Sequence, residues 1–151
     1  VPGEWAVQTA LGGHQSIDEL VQEGGRLRKQ RDMAWEMINA IPGVSCVKPQ
    51  GALYMFPRLD PKVYPIQDDQ EFFLQVLKET RVMLVQGTGF NWPQPDHFRI
   101  VFLPHEPDLK EAINRLAGFL AKYRQRFGTD RLAVVPAAEA PAKLAKASKA
   151  A

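Results

Sequence analysis

The chain has 151 residues, 45% of them hydrophobic and 24% charged, a composition that suits one soluble domain with a packed core and excludes a disordered chain. Its net charge of +2 sits in the last stretch, where Lys143, Lys146 and Lys149 face only Glu139, so the neutral remainder offers no electrostatic footprint for nucleic acid. No run approaches the roughly 18 apolar residues of a membrane span, no secretory leader is visible, and the single cysteine, Cys46, cannot close an internal disulfide and fits a reducing, cytoplasmic setting as a small buried hydrophobe.

Residues 1–13 read as a short helical piece closed by Gly12-Gly13. Ser16 followed three residues later by Glu19 has the spacing that satisfies two amide donors at a helix start. The Gly24-Gly25 pair marks a kink or a break, after which Leu27, Ala34, Trp35, Ile38 and Ile41 form one apolar stripe up to Pro42-Gly43. Residues 44–48 and 53–57 are strand-like, with Pro49-Gln50-Gly51 as the turn between them and a loop rich in proline and aspartate beyond. A helix is predicted over 69–80, burying Phe72, Phe73, Val76 and Leu77. The apolar run 82–85 predicts a strand covered on both faces, residues 87–93 a loop and residues 98–103 another strand. Pro107 stands where a first-turn proline belongs, and Leu109, Ala112, Ile113, Leu116, Phe119, Leu120 and Tyr123 make the strongest helical stripe. The pattern ends at Phe127-Gly128, and the Ala/Pro/Lys-rich end is expected to be a flexible tail. This order predicts an α+β domain, a small mixed or antiparallel sheet with helices packed on it.

Arg99 is the unusual position. In Phe98-Arg99-Ile100-Val101-Phe102 the side chains alternate, so Arg99 and Val101 face away from Phe98, Ile100 and Phe102. Such a guanidinium either lies on the solvent face of an edge strand, pairs with an internal glutamate, or forks onto a ligand carboxylate through two parallel hydrogen bonds. Just before it, Gly87, Thr88, Gly89, Phe90 and Asn91 either form an ordinary turn or bring backbone close to a ligand. Neither a dinucleotide fingerprint nor a P-loop is present. His14, His97 and His105 are scattered without metal-ligand spacing and read as surface or loop residues. No nucleophilic triad is evident. Tyr54, Met55, Phe56 and Trp92 read as core.

Three segments together carry a family resemblance. Gly43-Val44-Ser45-Cys46-Val47-Lys48-Pro49-Gln50-Gly51-Ala52-Leu53-Tyr54-Met55-Phe56-Pro57 resembles the small-domain hairpin of class I/II aminotransferases. Val82-Met83-Leu84-Val85-Gln86-Gly87-Thr88-Gly89-Phe90 resembles their strand and glycine loop, and Asp96-His97-Phe98-Arg99-Ile100-Val101 the strand whose arginine grips the substrate α-carboxylate. Gln8-Thr9-Ala10-Leu11-Gly12-Gly13 and Asn91-Trp92-Pro93 look closest to alanine aminotransferases. The resemblance implies a fold-type I small domain over 14–127, with 1–13 trailing from a large domain and 128–151 a tail. It also implies a homodimeric parent that uses pyridoxal phosphate and moves an amino group between an amino acid, alanine, and a 2-oxo acid, 2-oxoglutarate. Arg99 would bind the substrate carboxylate, and residues 87–91 would line the pocket. None of the nine lysines lies in the context of the family's Schiff-base lysine, so the chain alone is expected to be inactive and to form no covalent cofactor adduct. Two other readings are an effector-sensing domain of a transcription regulator and a binding module without catalysis.

Overall fold

A computed structural model of the chain describes residues 2–133; most of the stretch expected to be a flexible tail, from 134 on, lies outside the described residues. The helices are α1 (Pro2–Gly12), α2 (Ser16–Val21), α3 (Arg26–Asn39), α4 (Asp69–Thr80) and α5 (Glu106–Phe127). The strands are β1 (Val44–Ser45), β2 (Tyr54–Met55), β3 (Arg58–Leu59), β4 (Val85–Gln86) and β5 (Phe98–Val101), with a short 3-10 helix at Gly87–Phe90. The architecture is α+β, and all the described strand pairings are antiparallel.

A single proline shapes the sheet. Tyr54 pairs with Val101 and Met55 with Ile100, and the same register continues past Pro57 to the Arg58–His97 bridge. Phe98 donates to the Pro57 carbonyl and Leu59 to that of Asp96. Pro57 has no N–H to return, so the ribbon is interrupted there and β2 and β3 become separate strands of one extended run. β3 pairs on its other edge with β1, while β4 pairs with β5. β5 therefore lies centrally between β2 and β4, which fixes its backbone on both edges.

Two expectations are corrected here. The strands at 44–48 and 53–57 do not close a tight hairpin over Pro49-Gln50-Gly51, because Val44 pairs with Leu59 and Ser45 with Arg58, beyond the second segment. The wide connection is held instead by α3: the Trp35 indole donates to the Cys46 carbonyl at 2.8 Å, and Asn39 Oδ1 accepts from the Cys46 amide at 2.9 Å. The apolar run 82–85 is not a strand covered on both faces. Only Val85 enters β4, and Met83 is 77% exposed. Its hydrophobicity misled because the strand needs a ladder partner, which β5 supplies only at Val85 and Gln86.

The glycine pair is a true break between α2 and α3. Ser16 begins α2 rather than capping it, since the N-cap is Gln15, and Ile17 and Val21 stay exposed. α4 keeps its cap, with Asp68 Oδ1 accepting from the Glu71 amide at 3.1 Å. One core joins Ala34 and Ile38 of α3, Phe72, Phe73 and Val76 of α4, and Ile113, Leu116 and Leu120 of α5 to Met55, Phe98 and Ile100 of the sheet and to Phe102 just beyond it. Cys46 is buried and unpaired, as its composition suggests. Beyond Gly128, where the helix ends in a left-handed residue, the chain stays on the body: Thr129 donates to the Val63 carbonyl and Asp130 pairs with Arg124, whose guanidinium also reaches the Tyr64 hydroxyl at 2.7 Å.

Candidate functional site

The alternation in β5 works as expected: Phe98 and Ile100 are buried in the core, while Arg99 and Val101 are half-buried on the opposite face. Residues directly opposite across antiparallel strands share a face. Val85, opposite Arg99, and Tyr54, opposite Val101, therefore join them on one surface. Tyr54, Phe56 and Trp92 were expected in the core, and this is corrected: they are 49%, 36% and 40% exposed, and of that group only Met55 is buried. Period-two alternation through 53–57 places Met55 inward and Tyr54 and Phe56 outward, so the signal was present but was outweighed by hydrophobicity.

The Arg99 guanidinium lies between two rings, its Cζ 4.8 Å from the centroid of Tyr54 and 4.4 Å from that of Phe90. Planar cations stack well on aromatic faces, and each such contact contributes about 0.5–2 kcal/mol depending on desolvation. Among the described residues no carboxylate pairs with Arg99, and its Nε is buried without a hydrogen-bond partner. The internal-glutamate reading therefore finds no support. The side chain is half-buried, with its Nε enclosed and its guanidinium flanked by the two rings.

The glycine segment is a 3-10 turn rather than an open loop, ending at Asn91 in the left-handed region with φ 59°. Its amides are used internally. Gly87 donates to the His97 carbonyl at 2.8 Å, Asn91 to Thr88 at 3.1 Å and Trp92 to Gly87 at 3.2 Å. Thr88 gives its amide to Asp69 Oδ2 at 3.1 Å and its hydroxyl to Asp69 Oδ1 at 2.7 Å. Gly87 is required by close approach, since a Cβ there would stand 2.8 Å from the His97 carbonyl oxygen. Gly87, Thr88, Gly89, Phe90 and Asn91 are thus brought beside Arg99 as one turn, with Phe90 the member that touches it.

Asp96 and His97 were not singled out for this site. His97, read as a surface or loop residue, is instead mostly buried, its ring stacked 4.9 Å from Phe56 and tilted against Trp92 at 4.4 Å. Buried Asp96 accepts from the Trp92 indole at 3.0 Å, from His97 Nδ1 at 2.7 Å and from Arg58 Nε at 3.0 Å. Burial pushes its carboxyl upward, but the bonds from His97, Trp92 and Arg58 outweigh this and hold it below the usual carboxylate range. With the folded-state value depressed, the carboxylate's contribution is present above the unfolded value near 3.8 and lost as pH falls through the folded one. Asp96→Asn is therefore expected to cost roughly 1–3 kcal/mol at pH 7. The gap from wild type should close in acid, as read from urea midpoints at both pH values. A gap that stays constant from neutral to acid would contradict this assignment. His14 and His105 are exposed and apart from the site, and no cluster among the described residues could hold a metal.

The chain is similar to known aminotransferases. The model of the family described as aminotransferase class I and II matches residues 1–116. Over 125 residues the chain is 61% identical to an alanine aminotransferase of Mycobacterium tuberculosis and 58% identical to the glutamate-pyruvate aminotransferase AlaA of Escherichia coli, covering 83% of this chain in each case and 29% and 31% of those proteins. A solved aminotransferase from Escherichia coli superposes with a TM-score of 0.77 at 58% identity over 83% of this chain and 31% of that one. An alanine aminotransferase from Pyrococcus furiosus gives 0.69 at 39% identity over 80% and 30%. The chain spans about three tenths of the length of the curated relatives it matches.

Proposed function

The chain belongs to the class I and II aminotransferases, and we propose that it forms the part of such an enzyme that grips the substrate carboxylate, through Arg99, during amino transfer between alanine and 2-oxoglutarate. The observation that carries the reading is the Arg99 guanidinium itself, seated between Tyr54 and Phe90 with no protein anion among the described residues. A fork of this kind accepts two carboxylate oxygens side by side and so fixes the direction of the amino acid as well as its position. Fixing direction converts binding into a favourable orientation of the Cα–H bond. Tyr54 and Phe90 flank the guanidinium, and its partial burial strengthens the charge-assisted pair. The relatives named for alanine and for glutamate and pyruvate supply the substrate class.

The glycine turn does not fit the phosphate of pyridoxal phosphate, the family's cofactor. The amides of Gly87, Thr88 and Asn91 are already bonded to His97, Asp69 and Thr88, and the carboxylate of Asp69 lies against the turn where a phosphate would need positive charge. Lys48 is engaged by Asp32 and the Trp35 ring, while Lys29, Lys62, Lys78, Lys110 and Lys122 stand exposed. This part of the enzyme acts on substrate only, and the 3-10 turn serves as a wall. Among the described residues no helix is long and apolar enough to cross a membrane.

The test is a chimaera in which this chain replaces the matching 125-residue segment of the Escherichia coli enzyme. It should transaminate alanine with kcat/KM within about tenfold of the host, a barrier change of about 1.4 kcal/mol. A folded chimaera that retains its cofactor but does not turn over alanine would refute the proposal.

A further inference from the structure

Asp69 is an ionisable side chain that the fold buries without an evident need. It is the first residue of α4 and only 3% exposed, and among the described residues it has no cationic partner. Both of its oxygens go to a single neutral residue, Thr88. Burying a carboxylate away from a counter-charge is costly, and the helix start offsets this only in part. An apolar contact between α4 and the turn would hold the two together at lower cost. What the two bonds supply, and an apolar contact would not, is direction: they fix both the backbone and the side chain of Thr88.

Thr88 lies two residues before Phe90 in the 3-10 turn, and Phe90 has little else to fix it. Its ring is 44% exposed, and its aromatic neighbour Phe56 is 6.5 Å away, edge-on. Its contact with the Arg99 guanidinium, at 4.4 Å, therefore depends on the path of the backbone through the turn. The two ends of the turn are tied separately, the first by Gly87 to His97 and the second by the Trp92 indole to Asp96. Asp69 is the side chain that anchors the middle, at Thr88. On the reading of Arg99 as the carboxylate fork, we infer that Asp69 is a positioning residue for substrate binding, acting through Thr88 and Phe90 to set the plane of the Arg99 guanidinium.

The test uses the full chain for geometry and the chimaera for binding, with propionate as a probe that carries the carboxylate but no amino group. In the full chain, Asp69→Ala should speed amide exchange at Thr88 and move the Arg99 Nε–H resonance as the Phe90 ring shifts. In the chimaera, KM for alanine and Ki for propionate should rise together by about tenfold, since misplacement of about 1 Å can cost up to 10². kcat should change much less. Asp69→Asn should restore most of the binding, because its oxygen can accept from the Thr88 amide while its Nδ2 donates to the hydroxyl. If Asp69→Ala does not fold, Thr88→Val removes only the hydroxyl arm and should give a smaller rise in Ki. An unchanged Ki in either folded variant, with only a lower melting temperature, overturns the inference. If Arg99→Ala leaves the propionate Ki untouched, it is the fork reading that fails instead.

Discussion

Replacing Arg99 by alanine is expected to lower kcat/KM for alanine on the order of 10²–10³ in an enzyme built with this chain. The estimate rests on losing a charge-assisted carboxylate pair in a partly buried setting, which costs about 2–5 kcal/mol. Arg99 is half-buried with its Nε enclosed, and the Tyr54 and Phe90 rings flank the guanidinium at 4.8 and 4.4 Å. Because the pair exists in both ground and transition states, most of the loss should appear in KM, with a smaller fall in kcat from lost orientation. Arg99→Lys separates charge from geometry. An ammonium keeps the positive charge but lacks the planar fork and stacks less well, so its activity should fall between those of wild type and the alanine variant. Steady-state kinetics with alanine would decide it, and near wild-type turnover by Arg99→Ala would remove the basis of the functional proposal.

How much of this was legible beforehand follows from how far each signal reaches along the chain. The stripe in α5 and the alternation around Arg99 are local, set by backbone periods of 3.6 and 2, and both are realised. The tight hairpin expected over 49–51 is not, because register is decided between strands, where Val44 finds Leu59. The split at Pro57 could have been anticipated from its missing N–H. The burial of Asp69 and Asp96 could not, since a carboxylate becomes tolerable inside only when donors arrive from elsewhere: Thr88, nineteen residues away, for the first, and Arg58, thirty-eight away, for the second. The resemblance pointed to Arg99 and the glycine turn. It said nothing about the two carboxylates that hold the turn in place.

Stability should be most sensitive where α4 meets α5. Phe72 is 4% exposed, with ring centroids of Phe73, Phe119 and Tyr123 at 5.0, 5.6 and 5.1 Å, all close to edge-on. Deleting that ring leaves a cavity that three other rings cannot easily fill, so Phe72→Ala is expected to cost about 3–5 kcal/mol. Domains have roughly 5–15 kcal/mol in total, so this could leave the chain barely folded, and Phe72→Leu, expected to cost no more than about 1.5 kcal/mol, gives a measurable companion. Leu74 on the same helix is 40% exposed, and Leu74→Ala should stay within about 0.5 kcal/mol. Urea unfolding followed by tryptophan emission orders the three, and equal losses at positions 72 and 74 would show that α4 is not docked by this face. The same experiment bears on the site. α4 carries Asp69 at its first residue, so a helix loosened at Phe72 should also free the Thr88 amide to exchange, whereas the Leu74 variant should not.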